Sequence, residues 1–426
     1  MKMEAVAAWW LLLLAVAIPI SIAAFSLLYF PLMGLYILLG YWTFRRWPPQ
    51  WGWVEKAFVS FWLLSVLSAL FGVNAWHSRV RLGKDLYFVM LVLLTAYLAR
   101  EKNQDSKLMK AFMISAIATA GFGILQRIIG VNQSDNSGGI FWNLPHWLAH
   151  APRSLQNHLS MVNGRVVGTR AHPLTYAEGL LFPLGYTLSV LTCRRADWWK
   201  WAIGQYLVLL GLVVSQSRGP WIAAAVMVMV VCMLRRDTLL YKRLALIYFP
   251  IALCFLSPAL RARAFTITDR AYEPNAERLE MWQAGRRMIQ DHPLLGIGPG
   301  SVPLASPGYQ SDERRLQGPW GHLHDTYINV AAERGLLGLL AFLSFIMVLA
   351  SEMWRGYREA IKQEVDDSKI IILTGLLSLV GWLVAGFTET VYHDSNVLMM
   401  FYFVMGIAVA TSRGLFVRHS PRSSVV

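Results

Sequence analysis

Cysteine is scarce in this chain, and its longest polar segment, residues 258–325, contains no lysine. The 426 residues include three cysteines, Cys193, Cys232 and Cys254, which all lie in or beside apolar runs. This placement excludes a disulfide framework and a cysteine-based metal site. A segment similar to a soluble domain is also missing, and no strong internal repeat is visible.

Apolar residues are abundant instead. They make up 56% of the chain, whereas soluble domains contain only about 45–50% apolar residues. The mean hydropathy is +0.43. Runs near the length of about 20 residues that a membrane span needs recur from end to end. The 18 tryptophans and 16 tyrosines suit two interfacial belts. The sequence therefore predicts an all-α, polytopic membrane protein, in which the first apolar run is an uncleaved span.

Twelve spans are predicted in a single integral membrane domain covering residues 1–426. They are residues 5–24, 26–44, 57–73, 83–99, 110–130, 173–193, 200–214, 219–234, 243–257, 326–350, 369–389 and 396–413. Two long loops fall on the outer side, at residues 131–172 and, between spans nine and ten, at residues 258–325. Loops of this length are usually functional or disordered. Their aromatic, glycine and proline content favours ordered loops.

Basic residues set the predicted orientation. The net charge of +14 is scattered in short clusters between apolar runs, whereas a nucleic-acid-binding protein would gather it on one face. Placing both termini in the cytoplasm puts nine of the ten lysines inside and leaves Lys84 on the outer half, as the positive-inside rule expects. No nucleic-acid partner is predicted.

The outer loop 258–325 is rich in arginine. It carries Arg261, Arg263, Arg270, Arg278, Arg286, Arg287, Arg314 and Arg315. Arginine is preferred to lysine where a planar fork must grip phosphate or carboxylate. The alternative is that these residues merely decorate an outer loop.

Arg218 and Arg278 stand near predicted helix starts, where exposed amides and a positive dipole end favour an anion. Arg218 follows Ser217, a candidate N-cap, in a tight turn between spans seven and eight. Arg278 falls in the first turn of an amphipathic helix that Pro274 or Asn275 begins and Pro293 ends. The alternative for Arg218 is that it only extends its charge to the membrane interface. The alternative for Arg278 is that it pairs with a neighbouring glutamate, Glu277 or Glu280, or with a lipid phosphate.

The end of the loop carries a candidate base. Asp325 is a good N-cap for span ten, so His324 lies just above a helix start that keeps the imidazole neutral. A neutral imidazole can accept a hydroxyl proton. The alternative is that His324 only caps the helix or packs on Tyr327. His322 and His324 could also bind a metal with Asp312 or Glu313, but no third ligand stands at metal-site spacing, and no metal is predicted.

Further residues reach the same predicted surface. Arg165, Arg170 and His172 are second-tier candidates for substrate contacts, as are Arg286 and Arg287, which interrupt the apolar side of the amphipathic helix. The turn that holds Glu389, His393 and Asp394 is interpreted as structural. The glycine-rich segment 292–300 is interpreted as a simple reversal of the chain.

Several of these segments resemble the O-antigen ligase and polymerase superfamily of bacterial envelope glycosyltransferases. The matching motifs are Ser215-Gln216-Ser217-Arg218-Gly219, Glu277-Arg278-Leu279-Glu280-Met281-Trp282, His292-Pro293-Leu294-Leu295-Gly296-Ile297-Gly298-Pro299-Gly300, His324-Asp325-Thr326-Tyr327 and Glu333-Arg334-Gly335-Leu336-Leu337-Gly338. Residues 168–173 and 123–126 fit more loosely. The family usually has Asn where this chain has Asp325, which leaves open whether Asp325 orients His324 or only caps span ten.

The resemblance implies a fold and a reaction. The fold is that of a GT-C-type glycosyltransferase, and the reaction moves a glycan from undecaprenyl pyrophosphate to a hydroxyl of lipid A–core on the periplasmic face of the bacterial inner membrane. Arg218 and Arg278 would bind pyrophosphate and His324 would assist the acceptor, with His322 and Asp325 beside them. An inverting, metal-independent displacement without a cofactor is expected.

Two other activities stay open. A polymerase of glycan chains, or a protein O-oligosaccharyltransferase of the same superfamily, would differ only in the acceptor. A multi-span transporter would place its ionisable groups near the bilayer midplane. The predicted spans carry few such groups, which favours chemistry at the surface.

Overall fold

The computed structural model describes residues 2–42, 52–101, 104–129, 131–132, 160–162, 164–170, 172–194 and 197–417. Most of the predicted loop 131–172, namely residues 133–159, lies outside this part of the chain. The described residues are helical or form connections between helices, apart from one short parallel pairing and an isolated antiparallel bridge between Val162 and Arg165. That pairing joins β1 (Val131–Asn132) to β2 (Ser160–Met161).

Seventeen helices cover most of the described residues. They are α1 (Lys2–Ile20), α2 (Ile22–Trp42), α3 (Trp53–Phe71), α4 (Ala75–Glu101), α5 (Asp105–Ile129), α6 (Pro173–Gly179), α7 (Leu181–Cys193), α8 (Trp198–Ser215), α9 (Arg218–Leu234), α10 (Thr238–Cys254), α11 (Pro258–Phe265), α12 (Glu273–Asp291), α13 (Val302–Ala305), α14 (Asp312–Arg315), α15 (Thr326–Lys362), α16 (Asp366–Ala385) and α17 (Ser395–Val417). A short 3-10 turn, Ser306–Gly308, lies between α13 and α14.

Helices stand at all twelve positions where apolar runs predicted spans. Among the described residues, five helices are long and apolar enough to cross a membrane: α3, α5, α15, α16 and α17. A sixth results if α10 and α11, which meet at a 95° bend, form one broken span. The chain is therefore a polytopic membrane protein. The count of twelve crossings and the likeness to the GT-C fold stay predictions.

Two predicted spans have a different form. Residues 173–193 are two helices, α6 and α7, and Leu180 is the connecting residue. Span ten, predicted over residues 326–350, continues in α15 to Lys362 and is broken at Gly335, whose φ of 69° is left-handed. Apolar runs predict where a helix lies, but a break imposed by a neighbouring segment leaves no mark on hydropathy.

The centre of the bundle is formed by α16 and α17. Helix α16 packs on α7, α9, α15 and α17, and α17 packs on α4, α15 and α16. Phe401, Phe403 and Trp382 are buried there, and the Trp382 and Phe401 rings stack at 4.5 Å. Small residues allow the close approach: Gly185 of α7 lies against Ser378 of α16, as is usual where membrane helices pack.

The glycine-rich segment 292–300 does more than reverse the chain, so that interpretation was incomplete. Its backbone pairs with the break in α15: Ile297 donates to the Ala332 carbonyl at 2.9 Å, and Leu336 donates to the Pro293 carbonyl at 2.8 Å. Gly296 has a φ of 70° and touches the backbone around Gly335. The glycines are needed because two backbones approach without room for a Cβ.

A buried ion cluster lies beside this break. Arg334 of α15 is fully buried and donates to Asp85 of α4 at 2.8 Å and to Glu333 at 3.0 Å. Arg81 approaches the other oxygen of Asp85 at 3.2 Å. Each carboxylate faces a guanidinium, so the cluster fixes α4 against the first part of α15.

Candidate functional site

The site is centred on a carboxylate that joins two of the predicted residues. Glu389, in the connection between α16 and α17, forms a salt bridge with Arg278 of α12 through one oxygen. Its other oxygen lies 2.6 Å from Nδ1 of His324, just before α15. The Glu389 side chain is 5% exposed and that of His324 is 31% exposed, so a buried acid supports an imidazole that is open to the outside.

The backbone around His324 fixes where the imidazole stands. His324 has a φ of 49°, in the left-handed region, and the next residue, Asp325, caps α15 by accepting from the Ile328 amide at 2.8 Å. The predicted N-cap is thus confirmed. The open question about Asp325 is answered by the same contact: Asp325 caps the helix, and Glu389 is the carboxylate bonded to His324.

The Glu389 contact selects a tautomer. Burial opposes ionisation of Glu389, but the hydrogen bond with His324, together with the charges of His324 and Arg278, holds its pKa below the usual value. An ionised Glu389 accepts a hydrogen bond from the Nδ1–H group of His324. In the neutral imidazole this leaves Nε2 with a lone pair, which is the form a general base needs.

Arg218 is held rigidly at the start of α9. Its guanidinium donates to Thr266 Oγ1 at 2.9 Å and to Asn275 Oδ1 at 2.7 Å. Ser217 occupies the N-cap position of α9, but its side chain makes no capping bond, which corrects the expected cap. The Ser217 hydroxyl instead accepts from Arg165 at 2.8 Å.

Three arginines gather around this turn. Arg165 also donates to the Ser215 carbonyl at 3.0 Å. Arg263 of α11 donates to the Tyr272 hydroxyl at 2.7 Å, and the Tyr272 ring lies 5.1 Å from the Arg218 guanidinium and 5.7 Å from that of Arg263. Burial and the neighbouring charge of Arg263 lower the pKa of Arg165 to about 10. Such a cluster of like charges favours an anionic ligand.

The arginine cluster and the His324 group are joined by α12. Asn275, which holds Arg218, and Arg278, which holds Glu389, stand three residues apart in the first two turns of this helix, so Arg278 lies one turn later than the sequence predicted. The structure therefore brings Arg218, Arg278 and His324 to the same end of the bundle. The helix itself, Glu273–Asp291, begins and ends where Pro274 and Pro293 predict.

Other predicted residues lie close to this group. The His322 ring is 4.3 Å from that of His324. Burial, followed by the electrostatic influence of His324 and His393, lowers the pKa of His322 to about 4, so His322 is neutral at physiological pH. His172 caps α6 by accepting from the Leu174 amide at 3.2 Å, and burial followed by the charge of Arg165 lowers its pKa.

Two predicted contact residues are engaged elsewhere, and a third is exposed. Arg170 donates to Asn396 Oδ1 at 2.7 Å and to the Pro19 carbonyl at 2.7 Å, so it ties α1 to α17. Arg287 donates to the Tyr309 carbonyl at 2.6 Å, and Arg286 is exposed on α12. Within the described residues, no hydrogen bond or ion pair joins Arg170, Arg286 or Arg287 to Arg218, Arg278 or His324.

The sequence interpretation missed Glu389, Arg263 and Tyr272 as members of the group. Glu389 was assigned to a structural turn because nothing in its spacing points to His324, which is 65 residues away. Arg263 was one of eight loop arginines without a feature to single it out. Gln126, by contrast, belongs to a loosely matching motif. It accepts from the Gly168 amide at 2.8 Å and so braces the segment that carries Arg165.

One set of atoms has the composition of a metal site. Ligand atoms of His322, His324 and Glu389 lie within 4.8 Å of one another. Glu389 already pairs with Arg278, however, and Arg165, Arg218 and Arg263 add positive charge on the same end of the bundle. This surplus of positive charge would repel a divalent cation, whereas it would attract a phosphate.

A comparison with known families identifies one domain. Residues 204–343 match the family model described as O-antigen ligase. This range contains α9, α11 and α12, the segment 292–300 and the first half of α15, and so includes Arg218, Arg263, Arg278 and His324. A comparison with curated proteins finds no match.

Proposed function

We propose that this chain, whose residues 204–343 match the O-antigen ligase family model, transfers a glycan from undecaprenyl pyrophosphate to a hydroxyl of lipid A–core. The arrangement of Arg278, Glu389 and His324 beside an arginine cluster supports this most directly. In this arrangement several guanidinium groups and an imidazole lie at the same end of one bundle. The proposed location is the periplasmic face of the bacterial inner membrane, with both termini in the cytoplasm.

The donor pyrophosphate is assigned to the arginines. Arg218 and Arg278 take the roles predicted from the sequence, and Arg165 and Arg263 add charge beside Arg218. A lipid-linked pyrophosphate is already a good leaving group, so the protein needs to supply only position and positive charge where negative charge develops. The proposed reaction therefore uses no cofactor and no metal.

The acceptor is assigned to His324. Nε2 of His324 takes the proton of the acceptor hydroxyl while the hydroxyl oxygen bonds to the anomeric carbon of the donor glycan. At the same time the bond from the anomeric carbon to the pyrophosphate oxygen breaks. Glu389 stabilises the imidazolium that forms. The electron pair of the broken bond leaves with the undecaprenyl pyrophosphate, and the guanidinium groups stabilise the negative charge of this leaving group. The anomeric configuration is inverted, because no covalent intermediate intervenes.

Other acceptors use the same chemistry. A growing glycan, as in a polymerase, or a protein hydroxyl would meet the same base and the same anion site. The transporter alternative is less well supported: the buried Arg334 pairs with both Asp85 and Glu333, and the open histidine and arginines lie at the end of the bundle.

Alanine substitutions test the proposal. In cells that lack the chromosomal copy, Arg218→Ala, Arg278→Ala or His324→Ala should abolish long-chain lipopolysaccharide. Lipid-linked polymer should accumulate while the protein level in the membrane is unchanged. The exposed His292→Ala serves as the matched histidine control.

Three results would overturn it. The first is normal transfer by these variants, and the second is a product with retained configuration. The third is purified protein that transfers to a growing glycan or a protein but not to lipid A–core, which would favour the alternative acceptors.

A further inference from the structure

A groove of about 380 Å³ lies between α2, α4 and the start of α17. Phe25 and Phe30 of α2 and Tyr87 of α4 form one wall, where the Tyr87 ring is 5.9 Å from Phe25 and 5.5 Å from Phe30. Met399 of α17 lines it as well. This volume is in the usual range for ligand pockets, which are lined mainly by apolar and aromatic side chains. The walls suit a hydrocarbon chain.

Lys84 lines the same groove and carries an unpaired charge. Its side chain is exposed, and no hydrogen bond or ion pair to it occurs within the residues that the structure describes. The neighbouring Asp85 cannot neutralise it, because Arg81 and Arg334 already hold that carboxylate. Lys84 stands at the outer edge of the predicted span 83–99, a position that the predicted orientation places near the lipid head groups. A charge at this depth is best matched by a lipid phosphate.

The position of the groove separates it from the proposed donor site. Its lining includes Ser395, the first residue of α17, which lies six residues after Glu389. The segments with Arg165, Arg218, Arg263 and Arg278 contribute no lining residue. Since those arginines are assigned to the donor pyrophosphate, a lipid in this groove would approach His324 from a different flank of the bundle.

We propose that the groove binds an acyl chain of the acceptor lipid and that Lys84 pairs with a phosphate on its head group. This rests on the proposed function, because the reaction requires a second lipid beside the donor. Lipid A–core combines acyl chains with anionic phosphate, which are the two features that the aromatic walls and Lys84 match. The groove thereby orients the acceptor hydroxyl toward the connection that carries Glu389.

Steady-state kinetics with purified protein test the groove. Ser26→Phe fills it and Lys84→Gln removes its charge, so each should raise the KM for lipid A–core by about tenfold, the equivalent of about 1.4 kcal/mol. The KM for the lipid-linked donor should stay unchanged. Leu27→Phe, on an adjacent exposed residue, and Arg79→Gln, on the same helix outside the groove, are the matched controls.

Two kinetic results would overturn the inference. A higher KM for the donor alone would mean that the groove holds the polyprenyl chain. Unchanged KM values for both substrates would mean that it holds neither lipid.

Binding without catalysis separates this inference from the proposed function. Native mass spectrometry should show that wild-type protein retains lipid A–core in preference to phosphatidylglycerol, and that Lys84→Gln loses this preference. Equal retention of phosphatidylglycerol would assign the groove to bulk anionic lipid and overturn the inference. Lys84-dependent retention by a protein that transfers no glycan would refute the proposed function but leave the groove standing.

Discussion

Glu389 is the residue on which the site depends most. It contacts Arg278, which is 111 positions earlier in the chain, and His324, which is 65 positions earlier. One carboxylate thereby fixes the tautomer of the proposed base, His324, and the direction of Arg278, which we propose binds the donor. Its role is to position other groups, because its oxygens are already occupied by these two partners.

Replacing Glu389 by Gln should therefore impair catalysis more than binding. The amide keeps the shape but loses the charge that stabilises imidazolium, so the rate of transfer should fall by about 10²-fold or more. The KM for lipid A–core should change little. Single-turnover transfer by the purified protein measures this. Glu313→Gln, an exposed acid of α14, should leave the rate unchanged, and a Glu389→Gln variant with normal turnover would refute the role.

Arg263 is the second residue that the contacts single out. It shares Tyr272 with Arg218, whereas Arg261, two positions earlier on α11, is exposed. A charge-assisted contact to phosphate contributes about 1.5–3 kcal/mol, so Arg263→Ala should lower kcat/KM for the donor by about 10- to 100-fold. The Arg261→Ala variant is the matched control. Equal losses in both variants would indicate a general effect of loop charge.

At the scale of the element, the break in α15 is the feature with the clearest physical cause. The segment 292–300 occupies the place where the helix would otherwise continue, and its backbone bonds to both sides of Gly335. The break therefore fixes this part of the outer loop, which follows α12, against the helix that His324 precedes.

Gly335→Ala should destabilise the protein. Alanine tolerates the left-handed φ poorly, and its Cβ would collide with the Leu294 carbonyl. Backbone strain of this kind costs about 1–3 kcal/mol, so the melting temperature in detergent should fall. Gly308→Ala, where a Cβ has open space, should melt like wild type. An unchanged melting temperature for Gly335→Ala would show that the helix runs on without the break.

At the scale of the whole molecule, the predicted orientation places the site outside the cell membrane. In a background without native cysteines, a cysteine in place of Leu316, which is 91% exposed in the outer loop, should react with an impermeant maleimide added to intact spheroplasts. A cysteine in place of Glu364, between α15 and α16, should react only after permeabilisation. The reverse pattern would place the proposed chemistry in the cytoplasm.

The sequence by itself determined where the helices lie and how several of them begin and end. Apolar runs, the Asp325 cap and the prolines around α12 act over a few residues, so they can be recognised without knowledge of the fold. The motifs around Arg218, Arg278 and His324 likewise pointed to the family.

Only the tertiary structure decided which side chains meet. The pairing of Glu389 with Arg278 and His324, the meeting of Arg263 with Arg218 at Tyr272, and the breaking of α15 by segment 292–300 all join residues that are distant in sequence. So does the engagement of Arg170 with α1 and α17. Such contacts follow from how helices pack, and neither hydropathy nor local propensity specifies the packing partner.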